Sequence, residues 1–321
     1  MRAVWLKQFG PPDVLVPGEA SDPIAAGGQV VVAVEFPNIT FIETQIRAGR
    51  SPFPLPADAL PMILGNGVGG VVAALGPDVD SRLLGRRVIT GTGGAGGYAE
   101  RVAVAASGLI EVQDDLLLDQ AVALLADGRT SRALIRTARV LRGDRVLVEA
   151  AAGGVGSLLV QMAHAAGATV VAVAGGPGKL RLARDLGADI TIDYRNSNWA
   201  DHVLDQLGGV DVVFDGVGGE IGRAAFGLLD NGGRMLSYGL SSGGFTQVAD
   251  GEAQARGVEL LRGVRVSPAE ALDLTRFALA EAAAGRLRPV IGQRFALEDA
   301  AAAHAVIESR DTIGKTLLEV A

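Results

Sequence analysis

The residues best placed to do chemistry in this chain are not ionisable. From position 149 the sequence reads E-A-A-A-G-G-V-G-S. An apolar strand pattern, RVLVEAA (145–151), runs into the glycines, and a helical pattern, SLLVQMAHAAG (157–167), follows them. Glycines let backbone N–H groups approach a phosphate, and a helix N-terminus adds unpaired donors and partial positive charge. The spacing is Ala150-x-x-Gly153-x-x-Gly156, with Ala where such loops usually begin with Gly. Strand, turn, helix and next strand come in the order a dinucleotide pyrophosphate requires, with Gly153, Gly154 and Val155 as its phosphate contacts.

The end of the next strand selects the dinucleotide. A ribose 2′-hydroxyl is usually held by Asp or Glu about 20 residues beyond the first glycine. Here Val173, Ala174, Gly175 and Gly176 stand in that region, and Lys179 follows. No carboxylate repels a 2′-phosphate and a cation lies just beyond, so NADP(H) is the expected cofactor.

Other chemistries have little to work with. The absence of cysteine excludes disulfides, thiolate zinc sites and cysteine nucleophiles. His164, His202 and His304 are scattered without metal-ligand spacing. The serines of LSYGLSSG lack the G-x-S-x-G elbow of a hydrolase. A second glycine-rich stretch, LGNGVGG (64–70), carries no ionisable group and reads as a backbone turn. Asp127, before Gly128, reads as a turn residue at a helix end.

Positioning these residues takes more than one core, and 321 residues suggest two domains. Apolar residues make up 49% and charged residues 20%, a globular composition. A net charge of −7 and a pI near 5.1 argue against nucleic-acid or anionic-membrane partners. Residues 150–178 carry no charge, but glycines divide them into pieces too short to span a bilayer. MRAVWLKQFG has no long apolar core and is a poor signal peptide, so a cytoplasmic location is expected.

Residues 1–110 read mainly as β-branched strands between Pro and Gly. From about 115 the texture turns helical, and strands then alternate with helices, as in a parallel sheet covered on both faces. The expected class is α/β with a doubly wound Rossmann sheet. GVELLRG (257–263) would be its edge strand, apolar enough to need a partner.

Together the motifs AAAGGVG, DYR (193–195), FDGVGG (214–219), SYGLSSG (237–243) and IESRDTIGKTLLEV resemble zinc-independent quinone oxidoreductases of the medium-chain dehydrogenase/reductase superfamily. FIETQIRAG (41–49) and GGYAERV (96–102) extend the resemblance over nearly the whole chain. It implies a GroES-like, mainly β catalytic domain over 1–122 and 266–321, a Rossmann NADP(H)-binding domain over 123–265, and a cofactor in the cleft. It further implies NADPH-dependent reduction of quinones or other α,β-unsaturated carbonyls, and a homodimer paired along GVELLRG.

Carried over by position, Lys179 and Tyr194, with Gly175 and Gly176, would hold the 2′-phosphate. Gln45, Thr130, Val217, Tyr238, Gly239 and Ser241 would lie along the cofactor towards the nicotinamide, and Arg310 would reach it from the catalytic domain. The substrate half departs from the family pattern. Thr40 stands where Asn is usual, Gln45 and Ser51 stand for two tyrosines, and Arg129 replaces an apolar residue. Gln45, Ser51, Arg129 and Thr130 are the candidates to meet a substrate carbonyl. The zinc-dependent relatives' G-H-E is Gly65-Asn66-Gly67 here, which removes the metal ligand. The lost aromatics also keep open a second reading, an NADPH-binding structural or regulatory protein with little turnover.

Overall fold

The computed structural model describes residues 1–51, 56 and 58–320. The chain divides into two units, Met1–Ala126 with Thr275–Ala321, and Asp127–Leu274. The helix Leu118–Ala138 runs across the first boundary.

In the second unit, Val- and Ile-rich strands alternate with helices to build one six-stranded sheet. Its order is Ile190–Asp193, Thr169–Ala174, Arg145–Glu149, Val210–Asp215, Leu229–Ser237 and Glu259–Arg262, which is the doubly wound order. Every pairing is parallel. The inner strands are buried on both faces, so they read as continuous apolar runs instead of alternating ones. Leu147, Val173, Val213, Phe226 and Trp199 belong to the core packed between sheet and helices. Two short helices, Gly219–Gly227 and Asp250–Ala255, complete the alternation. Glu259–Arg262 is the edge strand, as its sequence predicts.

The first unit is a GroES-like β-fold. Five antiparallel strands run in the order Arg101–Ala105, Gln29–Pro37, Gly67–Leu75, Arg87–Gly91 and Ile110–Glu111. The C-terminal return adds Ile291–Ala296, parallel to Lys315–Glu319. That last strand is bound back to the strand Gln29–Pro37: Leu317 bridges Asn38, just past its end, and the Val320 N–H donates to the Glu35 carbonyl at 3.0 Å.

LGNGVGG is not simply a turn. Only Gly65 takes a left-handed conformation, at φ 109°, where it passes close to Gly97. Gly67, Gly69 and Gly70 lie inside the strand Gly67–Leu75. A side chain at Gly70 would overlap the Ala33 carbonyl, and one at Gly69 would overlap Val122. These glycines exist for close approach, by the neighbouring strand and by the helix that begins at Leu118. Among the described residues no helix is long and apolar enough to cross a membrane.

Candidate functional site

In the second unit the strand Arg145–Glu149 ends two residues before its apolar pattern does, because Ala150 turns left-handed at φ 47°. Glycine would take that conformation without strain, whereas Ala costs about 1 kcal/mol. The helix Gly154–Ala165 starts immediately after Gly153, and no side chain caps its first turn. The donors of that turn are therefore left for a ligand, as a pyrophosphate cradle requires. A Cβ at Gly156 would overlap the Ala150 carbonyl oxygen, so this glycine holds helix and strand end together. The residues present fit a dinucleotide phosphate.

Asp127 is not at a helix end; it lies inside Leu118–Ala138, with its carboxylate directly behind Gly154. The Ser131 hydroxyl donates to the Asp127 carbonyl at 2.7 Å and lies 3.2 Å from that of Val155, tying this helix to the phosphate loop. Arg129 and Thr130 sit between these contacts and are half-buried. Burial lowers the Arg129 pKa, and Asp127 partly offsets it.

The second strand ends at Ala174, and Gly176 caps the helix Pro177–Asp185, which carries Lys179 in its first turn. The Tyr194 hydroxyl lies 3.5 Å from where a Gly175 side chain would begin, and the Arg195 guanidinium lies 3.3 Å from where a Gly176 side chain would begin. Asp193 accepts the Gly176 N–H at 3.0 Å and pairs with Arg195 at 2.6 Å. The Arg195 guanidinium pulls its carboxyl down to about 2. Gly175, Gly176, Tyr194 and Arg195 thus form one cluster. Arg195 was in the DYR motif but is chosen by the geometry alone.

The third strand end gathers Val217, Tyr238, Gly239 and Ser241. The Tyr238 and Gly239 N–H groups donate to the Asp215 carbonyl at 3.0 and 3.2 Å. The Tyr238 hydroxyl lies against Gly216, and the Ser241 hydroxyl is 3.4 Å from the Gly216 carbonyl oxygen. Ser242 N–H donates to the Val217 carbonyl at 2.8 Å.

In the first unit, Gln45 lies in the helix Phe41–Arg47 and is buried. Its amide donates to the Thr44 hydroxyl at 3.0 Å and accepts from Arg50 at 3.3 Å. Ser51 follows directly. Arg47 and Arg50 both reach Glu308, at 2.5 and 3.5 Å, near the end of the helix Ala300–Glu308, and Arg310 lies just past that helix in a left-handed conformation.

Beside them is a polar centre that sequence reasoning missed. The Glu43 carboxylate accepts from Thr40 N–H at 2.6 Å, the Thr40 hydroxyl at 3.0 Å and Asn66 N–H at 2.9 Å. The Asn66 amide donates to the Thr40 hydroxyl and accepts from Asn38, both at 3.2 Å. The signal was available, since Thr40-x-x-Glu43 is a capping box. Among the described residues no group of three or more His, Cys, Asp and Glu is placed to hold a metal ion.

Burial pushes Glu43 up to about 7 against these hydrogen bonds and Lys315. A carboxyl whose folded pKa is raised stabilises the fold fully below its unfolded pKa and loses that contribution as pH climbs to the folded value. Stability due to Glu43 therefore falls by about 3 kcal/mol between pH 4.5 and 7. Urea denaturation of wild type and Glu43→Gln across this window checks it, with the difference between the two curves expected to shrink by that amount. His304 acts in the opposite sense, since burial and Arg47 depress it to about 3, but it cancels in the difference. Parallel curves would show that Glu43 does not titrate there.

Comparison with known proteins identifies the family. Residues 154–271 match the family model of zinc-binding dehydrogenases, and 26–114 match that of the alcohol dehydrogenase GroES-like domain. A quinone oxidoreductase of Pseudomonas aeruginosa is 34% identical over 327 residues, covering 99% of this chain and 99% of the relative. A 2-haloacrylate reductase of a Burkholderia species is 34% identical over 337 residues, covering 99% of this chain and 98% of the relative. The structure of the Escherichia coli quinone oxidoreductase complexed with NADPH superposes with a TM-score of 0.92 at 28% identity, covering 99% of this chain and 100% of that one. The chain belongs to the quinone oxidoreductase family of the medium-chain dehydrogenase/reductase superfamily.

Proposed function

We propose that this protein is an NADPH-dependent oxidoreductase that reduces quinones or other α,β-unsaturated carbonyls by direct hydride transfer, without zinc. The observation that carries the reading is the open glycine cradle at Gly153–Gly156, with the Gly176–Tyr194–Arg195 cluster at the next strand end. Gly153, Gly154 and Val155 would hold the pyrophosphate. Lys179 and Tyr194 would hold the 2′-phosphate, with Arg195 neutralising Asp193 beneath it. Val217, Tyr238, Gly239 and Ser241 would flank the nicotinamide end, and Gln45, Thr130 and Arg310 would contact the cofactor.

Bound NADPH supplies the hydride. The chain's own task is to position, because hydride arriving at the β-carbon leaves charge on the carbonyl oxygen, which a donor must meet. Gln45, Ser51, Arg129 and Thr130 are the donors proposed for that oxygen, and solvent delivers the proton. Zinc is not needed, because a conjugated substrate delocalises the charge itself. Asn66, where the zinc-dependent relatives carry His, instead spends its amide on Thr40 and Asn38. We also infer a cytoplasmic homodimer joined along Glu259–Arg262, one edge strand of the sheet.

The test is NADPH oxidation against a panel of quinones, enones and 2-haloacrylates, with NADH in parallel. Turnover with at least one acceptor, faster with NADPH, is expected. Tight NADPH binding without oxidation of any acceptor would move the reading to a non-enzymatic binding protein.

A further inference from the structure

The doubly wound sheet brings two acids together at adjacent strand ends. Parallel pairing sets Val148 beside Phe214, and so sets the next residues, Glu149 and Asp215, beside each other. Both are fully buried. Asp215 is supplied with donors: the Gly218 N–H at 2.7 Å and the Ser237 hydroxyl at 2.8 Å. Glu149 accepts the Val217 N–H at 3.0 Å through Oε2, and the Gly216 N–H also reaches its carboxyl. Its Oε1 is buried and has no hydrogen-bond donor among the described residues.

The register sets the Asp215 side chain beside that of Glu149, within hydrogen-bonding reach. Two ionised carboxyls are acceptors only and cannot bond to each other, whereas a protonated carboxyl donates. One proton completes both groups. It gives the stranded oxygen a partner and leaves a single negative charge in a dry site, where two would be far more costly. Burial and the neighbouring Asp215 both push Glu149 well above the usual carboxylate range. Tyr238, past the strand Leu229–Ser237, is a further ionisable group near the pair, and Asp127, on the helix behind the phosphate loop, lies near Tyr238. Both are acids, and neither favours a second negative charge.

We propose that Glu149 is a positioning residue, held un-ionised with its proton shared with Asp215, and that this proton keeps the loops at 216–218 and 238–239 in the arrangement that receives the cofactor. The pair reaches every part of those loops through backbone groups: Gly216, Val217 and Gly218 by their N–H, and Tyr238 and Gly239 through the Asp215 carbonyl. Loss of the proton to solvent puts two charges side by side and forces these loops apart. The cofactor half of this inference rests on the nicotinamide-end placement proposed above, but the shared proton does not.

Infrared spectra of the cofactor-free protein at pH 8 test the proton. The carbonyl stretch of an un-ionised carboxylic acid is expected in wild type and missing from Glu149→Gln. NADPH titrations from pH 7 to 10 test the link to the cofactor. Wild-type affinity should fall towards tenfold per pH unit once the proton is lost. Glu149→Gln keeps a donor for Asp215, so its affinity should stay within about threefold of wild type at pH 7 and change little with pH. Glu149→Ala should bind at least about tenfold more weakly at pH 7, as one charged-group hydrogen bond is removed. Absence of the infrared band in wild type overturns the shared proton. If the band is present but Glu149→Gln binds as poorly as Glu149→Ala, or wild-type affinity is flat with pH, the control over cofactor binding is overturned while the proton stands.

Discussion

Lys179→Ala is expected to weaken NADPH binding about thirtyfold while leaving NADH within about twofold, as befits one charge-assisted contact to a phosphate. The selectivity follows from the strand end. Lys179 leaves the first turn of the helix Pro177–Asp185, just beyond the Gly176 cap, where the helix N-terminus already favours an anion. NADH has no 2′-phosphate and gives this side chain nothing to bind. Arg195→Ala should be at least as damaging for NADPH, for a different reason. It removes a cation and also exposes Asp193, whose carboxylate is otherwise paired with Arg195 at 2.6 Å. The measurement is fluorescence titration of both reduced cofactors against each variant. Equal losses for NADPH and NADH would remove Lys179 from the 2′-phosphate site.

Gly156→Ala should abolish binding of both cofactors, with losses of more than about a hundredfold, and cost about 2 kcal/mol or more in stability. A Cβ there would overlap the Ala150 carbonyl oxygen and come within 3.0 Å of the Ala151 Cα, which are backbone atoms and cannot swing aside. The loop would have to move away from the helix, and the donors of the first helical turn would no longer converge on the pyrophosphate. Gly227→Ala is the control. It lies in the helix Gly219–Gly227, a Cβ there would meet nothing within 4 Å, and it should be neutral or slightly stabilising. Calorimetry for stability, together with cofactor titration, separates a collapsed loop from an unfolded protein. A folded Gly156→Ala that binds NADPH normally would show that the cradle is elsewhere.

The nucleotide half was legible because its chemistry is backbone chemistry. Glycine spacing, an apolar strand and a helix start are written consecutively, so the strand–glycine–helix order around Gly153, Gly154 and Gly156 could be read from order alone. What escaped was set by pairing between distant segments. Glu149 and Asp215 lie far apart in sequence and meet only because their strands are neighbours in a particular register. An acid ending an otherwise apolar strand was the available sign. Glu43 and Asn66 meet for the same reason, across the start of a helix and the start of a strand. The reading of 64–70 as a turn failed because glycine in a strand, needed for close approach, looks the same in sequence as glycine in a bend. Thr40, Gln45 and Ser51 could be recognised as departures from a pattern, but the burial of Gln45 and its use by Thr44 and Arg50 belong to three-dimensional packing.

The return of the chain at Lys315–Glu319 sets an order of assembly. Residues 127–274 are continuous and can close their core as soon as they leave the ribosome. The first unit cannot, because the strand that bridges Asn38 and holds Glu35 follows the whole of the second unit in the chain. Its earlier strands must wait through the whole of the second unit for the contacts at Glu35 and Asn38. The continuous unit can therefore fold first, and the unit that carries Gln45 and Arg310 closes only after its return segment has emerged.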